Sequence, residues 1–224
     1  MRRLLAAMRR RYEHGSWWPA RSRFEMMAGA ILTQRTRWEA AAAAARRLRQ
    51  AGLLRPDCMR AVGAARLAGL LRPCGDHRTK ARRLIALAGF ISRSGGPTAL
   101  TRRATVELRA ALLDLPGIGP ETADAILLYA YRRPVFVADA YALRFLGRTG
   151  FLGRAGLAPR YATVHARVTE LLGGAVADHA DLHAVIVEHG KALCRARPRC
   201  AACFLARRCA TGRRLSPGNR MPGR

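Results

Sequence analysis

Leu115-Pro116-Gly117-Ile118-Gly119-Pro120-Glu121-Thr122-Ala123-Asp124-Ala125-Ile126-Leu127-Leu128 is the stretch on which the fold turns. A helix-forming run ends near Asp114, the chain turns through Pro-Gly-Ile-Gly, and a second helix starts at Pro120. Proline suits that first turn because it brings no amide hydrogen that would go unsatisfied. Glycines at 117 and 119 permit left-handed dihedrals and close approach by another backbone. The first amides of the second helix have no carbonyl partner within it and point outward together, which makes an anion site suited to a phosphodiester. Ile118 is expected to anchor the turn in the core.

Two helices joined in this way, over residues 112–128, have the pattern of a helix-hairpin-helix, which grips the backbone of a nucleic acid without reading its sequence. An ordinary glycine-rich turn between helices is the alternative. The rest of the chain reads as helix too. Glu25 to Leu32, the six alanines Ala40–Ala45 continuing to Leu48, Lys80 to Phe90 and Arg103 to Leu113 carry apolar residues at helical spacing. Val135-Phe136-Val137 is strand-like but too isolated to build a sheet. The fold class is therefore all-α. From Ala210 onward the chain is basic, rich in Gly and Pro and without periodicity, and reads as a flexible tail.

Composition narrows the function. The 224 residues carry 41 Lys+Arg against 14 Asp+Glu, a formal charge of +27, with an apolar fraction of 50% that is ordinary for a folded protein. So large a positive surplus points to a polyanion, with binding that weakens steeply as salt rises. The cations are almost all arginine, Lys80 and Lys191 being the exceptions, a skew that a GC-rich coding sequence also produces. No apolar run approaches the roughly 18 residues of a membrane-spanning helix. Arg9 to Arg11 interrupt the N-terminal apolar stretch too early for a secretory signal, so that stretch reads as a first helix.

Two further features carry chemistry. Asp139 follows Val135-Phe136-Val137-Ala138 and precedes an expected helix from Ala140 to Gly147, where an aspartate ordinarily serves as N-cap. Cys194, Cys200, Cys203 and Cys209 lie within 16 residues as C-x5-C-x2-C-x5-C. Structural zinc favours two close pairs separated by a longer loop, and disulfides need an oxidising compartment. Four thiolates in one compact loop suit a cubane iron–sulfur cluster. All three readings are open at this point, with the cluster favoured. Cys58 and Cys74 lie outside the loop and read as buried or idle thiols.

Taken together, the hairpin, the V-F-V stretch, Asp139 and the cysteine loop resemble the helix-hairpin-helix–Gly/Pro–Asp DNA glycosylase superfamily, whose founding member is endonuclease III. The resemblance spans roughly residues 17 to 209. Phe24 to Gln34 looks like the family's helix ending in Leu-Ser/Thr-x-Gln, Lys80-Ala81-Arg82-Arg83-Leu84 like its K-A-x-x-L helix, and Leu182 to Cys194 like its helix entering the cluster loop. The first cysteine gap is five residues where six is usual, and Cys74–Arg78 departs from the family's version. The resemblance implies Asp139 as the catalytic carboxylate and a [4Fe–4S] cluster on Cys194, Cys200, Cys203 and Cys209. It implies DNA contacts from Gln34, Leu115, Pro116, Gly117, Ile118, Gly119 and Thr122, with Gln34 filling the gap left by a flipped nucleotide.

The informative departure is inside the hairpin. Members that also cut the strand carry lysine two positions after the second hairpin glycine, as G-x-G-x-K-T-A. Here Glu121 stands there, and a carboxylate cannot form the imine. The resemblance is thus to the monofunctional branch, closest to the iron–sulfur 3-methyladenine glycosylase type, with an alkylated purine favoured as target and Glu121 in a secondary role at most. A glycosylase/AP lyase acting on oxidised pyrimidines through Lys80, Lys191 or a terminal amine, and a non-catalytic binder of damaged DNA, are the alternatives.

The implied architecture is two helical domains with a DNA cleft between them. Residues 1–23 form an N-terminal helix packing with the cluster domain, 24–132 a helical barrel with the hairpin, 133–209 a helical domain with the loop 194–209, and 210–224 the tail. The implied partner is duplex DNA with a damaged or mispaired base, with no membrane, a monomeric state and a cytoplasmic, nucleoid-associated location. Trp17, Trp18, Trp38, Tyr129, Tyr131 and Tyr141 are candidates for the walls of a base pocket.

Overall fold

A computed structural model describes residues 2–12, 18–151 and 160–215, and among these there are helices and no strand. In chain order the helices are α1 (Arg2–Arg9), α2 (Arg23–Leu32), α3 (Trp38–Gln50), α4 (Pro56–Ala61), α5 (Ala64–Leu70) and α6 (His77–Arg93). They continue with α7 (Thr105–Leu113), α8 (Pro120–Tyr129), α9 (Ala140–Thr149), α10 (Tyr161–Leu172), α11 (Val176–Ala192) and α12 (Ala210–Leu215). The all-α expectation holds. Two compact units divide the chain, one over Trp18–Arg133 and the other joining Met1–Trp17 to Pro134–Arg224.

In the Trp18–Arg133 unit α8 is the central helix. Every residue from Thr122 to Leu128 is buried, and α2 and α7 pack against it. The alanine run of α3 buries Ala41, Ala44 and Leu48 at i, i+3 and i+7, so its small side chains form one helix face. In α6 the buried positions Ala81, Leu84, Ala88 and Ile91 make a stripe with the same period. Ser22 caps α2 by accepting from the Glu25 amide at 3.1 Å, and the buried Glu25 carboxylate pairs with Arg49. Trp18 belongs here and not with the N-terminal helix, contrary to the expected grouping of residues 1–23. Its ring lies on Gly29 of α2, where a Cβ would come within 3.0 Å of the indole nitrogen, and it packs against Trp38 and Tyr129.

A buried carboxylate interrupts the apolar run of α8. Asp124 is fully buried, and Arg109 of α7 holds it with two hydrogen bonds, Nε at 2.7 Å and Nη2 at 3.1 Å. This bidentate pair ties the two hairpin helices together where apolar contact alone would leave their register loose.

The other unit packs α1, α9 and α10 around α11, with a core that includes Leu5, Met8, Phe136, Phe145, Val168, Leu182 and Ile186. Arg9 at the end of α1 reaches Asp178 and Asp181 of α11. The expected flexible tail begins later than Ala210. Residues Ala210–Leu215 form α12, with Thr211 and Gly212 buried against the preceding cysteine loop and α9. Close backbone approach is the reason, since a Cβ on Gly212 would fall 2.6 Å from the Ala206 carbonyl oxygen. The rest of that tail, 216–224, lies outside the described residues.

Removing Arg109 takes the bidentate partner from a fully buried carboxylate, whereas removing Asp124 leaves a guanidinium that is 30% exposed and can turn to water. Arg109→Ala should therefore lower the unfolding free energy by about 3 kcal/mol or more, and Asp124→Ala by less. Urea melts of the two variants check this, and the reverse order would show that the pair is not what joins α7 to α8.

Candidate functional site

The hairpin forms as its sequence suggests. Helix α7 stops at the Asp114 cap, the Ile118 amide donates to the Leu115 carbonyl at 3.1 Å, and α8 opens on Pro120. Ile118 is buried, Leu115 half-buried, and Pro116, Gly117 and Gly119 are exposed, so the turn presents its backbone outward from an apolar anchor. Only one of the two glycines needs to be glycine. Gly117 has φ +76°, in the left-handed region, whereas Gly119 is extended at φ −91° with open space where a Cβ would stand. Glu121 is exposed on the first turn of α8, and Thr122 behind it is buried.

Gln34 reaches this turn from the end of α2. Its amide nitrogen donates to the Gly117 carbonyl and to Thr122 Oγ1, each at 2.9 Å, while its amide oxygen accepts from Arg83 Nη1 at 2.6 Å. Filling a gap in DNA would require Gln34 to exchange these three bonds. Arg35 beside it adopts φ +50°, a conformation that costs a branched or bulky residue energy and survives only where neighbours enforce it. Lys80 does the enforcing. Its side chain is buried, and its ammonium donates to the Leu32 carbonyl at 2.8 Å and to Thr36 Oγ1, on either side of the strained turn. Burial pushes its pKa below the ordinary lysine value. Sequence reasoning missed Arg83 and this role for Lys80, because both act on residues far along the chain.

Asp139 lies in the other unit. It caps α9, Oδ1 accepting from the Ala142 amide at 2.7 Å, while Oδ2 stands 3.4 Å from Nε2 of His183. The cap uses one oxygen and leaves the other facing an imidazole that is 5% exposed. His183 comes from α11, and its place among apolar residues gave no signal in the sequence.

Cys194, Cys200, Cys203 and Cys209 line one pocket, together with Arg148, His189 and Leu205. None of the four is joined in a disulfide. Burial raises the pKa of Cys200 and Cys203, and the neighbouring thiols raise them further, so four thiolates would repel one another without a positive centre. The Gly212 amide donates to Cys209 Sγ at 3.4 Å and Arg148 Nη1 to Cys194 Sγ at 3.5 Å. His189 is pushed down to about 4 by burial, and its Nδ1 shares a 2.8 Å hydrogen bond with the Tyr12 hydroxyl. Among the described residues, no three His, Cys, Asp or Glu side chains are grouped so as to hold a metal ion.

Of the aromatic candidates, Trp18, Trp38 and Tyr129 cluster in one unit, with Trp38 43% exposed. Tyr131 is core, its hydroxyl pushed up to about 12 by burial. Tyr141 lies in the other unit under the Arg144 guanidinium, 4.9 Å away. Trp17 lies outside the described residues.

No helix among the described residues is long and apolar enough to cross a membrane. Comparison with known proteins places this geometry. A candidate DNA repair glycosylase of Methanocaldococcus jannaschii is 38% identical over 201 residues, 88% of this chain and 90% of its own. The 3-methyladenine DNA glycosylase of Helicobacter pylori, solved bound to 1,N6-ethenoadenine, superposes with a TM-score of 0.72 at 30% identity, over 84% of this chain and 96% of its own. A trapped endonuclease III–DNA covalent intermediate shares the fold, with a TM-score of 0.79 at 22% identity over 95% of each chain. Residues 28–172 match the profile of the HhH-GPD superfamily of base excision DNA repair proteins, and the chain belongs to that superfamily.

Proposed function

We propose that this protein is a monofunctional DNA glycosylase that hydrolyses the N-glycosidic bond of a flipped, damaged base, with an alkylated purine as the favoured target. The observation that carries the reading is Glu121, an exposed carboxylate on the first turn of α8 where strand-cutting relatives are expected to carry lysine. The two lysines of the chain are otherwise engaged. Lys80 is buried under the end of α2, and Lys191 pairs with Glu188 at 2.9 Å on α11. The 30% identity to a 3-methyladenine glycosylase supports the target class. The partner is duplex DNA with a damaged or mispaired base, bound by a monomer in the cytoplasm at the nucleoid.

A base inside a duplex is out of reach of a carboxylate, so the target nucleotide rotates out, at a cost of a few kcal/mol that damage lowers. Leu115 to Gly119 and Thr122 hold the backbone in this reading, with Gln34 at the vacated stack. As the C1′–N bond breaks the sugar becomes oxocarbenium-like, and the Asp139 carboxylate stabilises that charge. It takes a proton from the water whose oxygen forms the new bond to C1′. A purine alkylated at N3 or N7 already carries positive charge, so the C–N electron pair leaves with a neutral base and no acid is needed. Aromatic walls such as Trp18, Trp38 and Tyr129 suit a cationic base.

The four cysteines fit a [4Fe–4S] cluster. They line one pocket, their thiolates need a positive centre, and an amide and a guanidinium already donate to their sulfurs. When bound, the cluster supplies binding free energy that is also folding free energy for the loop 194–209.

Three outcomes are expected. On single-lesion duplexes, strand breakage appears only after alkali, and borohydride traps no adduct on abasic DNA; a covalent adduct would favour the lyase alternative. Asp139→Asn, which keeps an N-cap, lowers base release by about 100-fold or more in single-turnover assays while DNA binding survives. Unchanged release would remove Asp139 from the chemistry and favour a binder or another catalytic group. The purified protein yields iron and acid-labile sulfide in equal amounts, and zinc without sulfide would assign a closed thiolate site instead.

A further inference from the structure

We infer that Arg83 is a phosphate-contacting residue of the hairpin, a guanidinium delivered to the turn by α6 rather than by the hairpin's own helices. This rests on the reading of the hairpin as a DNA grip. The Arg83 side chain lies against Gly117, so close that a Cβ there would fall 2.0 Å from its Nε, 2.5 Å from Cδ and 2.6 Å from Cζ. Its Nη1 donates to the Gln34 amide oxygen at 2.6 Å, and Gln34 in turn holds the Gly117 carbonyl. The guanidinium is therefore fixed against the exposed backbone of the turn. Its bond to Gln34 goes to a neutral acceptor, and among the described residues no carboxylate pairs with it.

The contrast with Arg109 in the same hairpin is instructive. Arg109 has its charge cancelled by a buried aspartate and serves the fold. Arg83 keeps its full charge at the surface the DNA backbone would meet, with most of its five N–H donors uncommitted to a side-chain partner. A planar fork held in place before the ligand arrives matches phosphate geometry and loses little freedom on binding. It also gives Gly117 a second reason to be glycine, since any side chain would displace the cation.

The test is the salt dependence of binding to undamaged duplexes of two unrelated sequences, read by fluorescence anisotropy on the full chain. Arg83→Gln, which can still donate to Gln34 without charge, should flatten the slope of log affinity against log salt by about 0.9. It should also weaken both duplexes about tenfold, and alike, as a backbone contact does. Arg83→Lys, which restores the charge, should restore the slope. An unchanged slope for Arg83→Gln, or an equal loss for Arg83→Lys, would overturn the inference by showing that Arg83 only props the turn. If Arg83→Gln does not melt cooperatively, Arg83→Met is judged by the same criteria. Wild-type protein that binds no duplex DNA would sink the grip reading and this inference together, whereas a wild-type slope that Arg83→Gln leaves intact sinks only the inference.

Discussion

Helix α8 has to be buried along its length and yet offer its first turn to solvent, and the Trp18–Arg133 unit is organised around that demand. From Thr122 to Leu128 each side chain meets protein, so α8 cannot shift without disturbing α2 and α7. The Asp124–Arg109 pair removes what freedom remains between the hairpin helices. A loop gripping a charged polymer from a loose mount would spend binding energy on its own ordering; this turn is held from within, and that cost is largely met at folding.

The same economy operates at Asp139. One carboxylate oxygen is consumed in starting α9, which fixes the side chain through the backbone rather than through a mobile neighbour. A cap and a reactive group are often treated as competing explanations for an aspartate. At Asp139 the cap itself sets the direction of the oxygen left over, beside His183 of α11. Its 3.4 Å separation from that imidazole is a property of two packed helices, not of a loop.

Local signals in the sequence were good guides to local structure. Pro120 opens α8, Asp139 caps α9, and the alanine run is helical, each for reasons contained within a few residues. Gly119 was legible as a turn residue, but of the two hairpin glycines it is Gly117 that takes the left-handed conformation. Helix α12 was hidden because its basic, glycine-bearing sequence gains order from backbone packing on the cysteine loop, which no periodicity reveals. The engagement of Gln34 was equally hidden. Its partners stand 83, 88 and 49 residues away, and only the packing of α2, α6 and α8 brings them within reach.

The near-exclusive use of arginine as cation has a consequence for how the molecule responds to its surroundings. Guanidinium groups hold their proton throughout the range in which proteins stay folded, and of the two ammonium groups one is interior and one is tied to a glutamate. Alkaline conditions therefore strip little positive charge from this chain, and acyl modification of amines finds little to neutralise. Ionic strength is the variable left to tune how long the protein lingers on a polyanion.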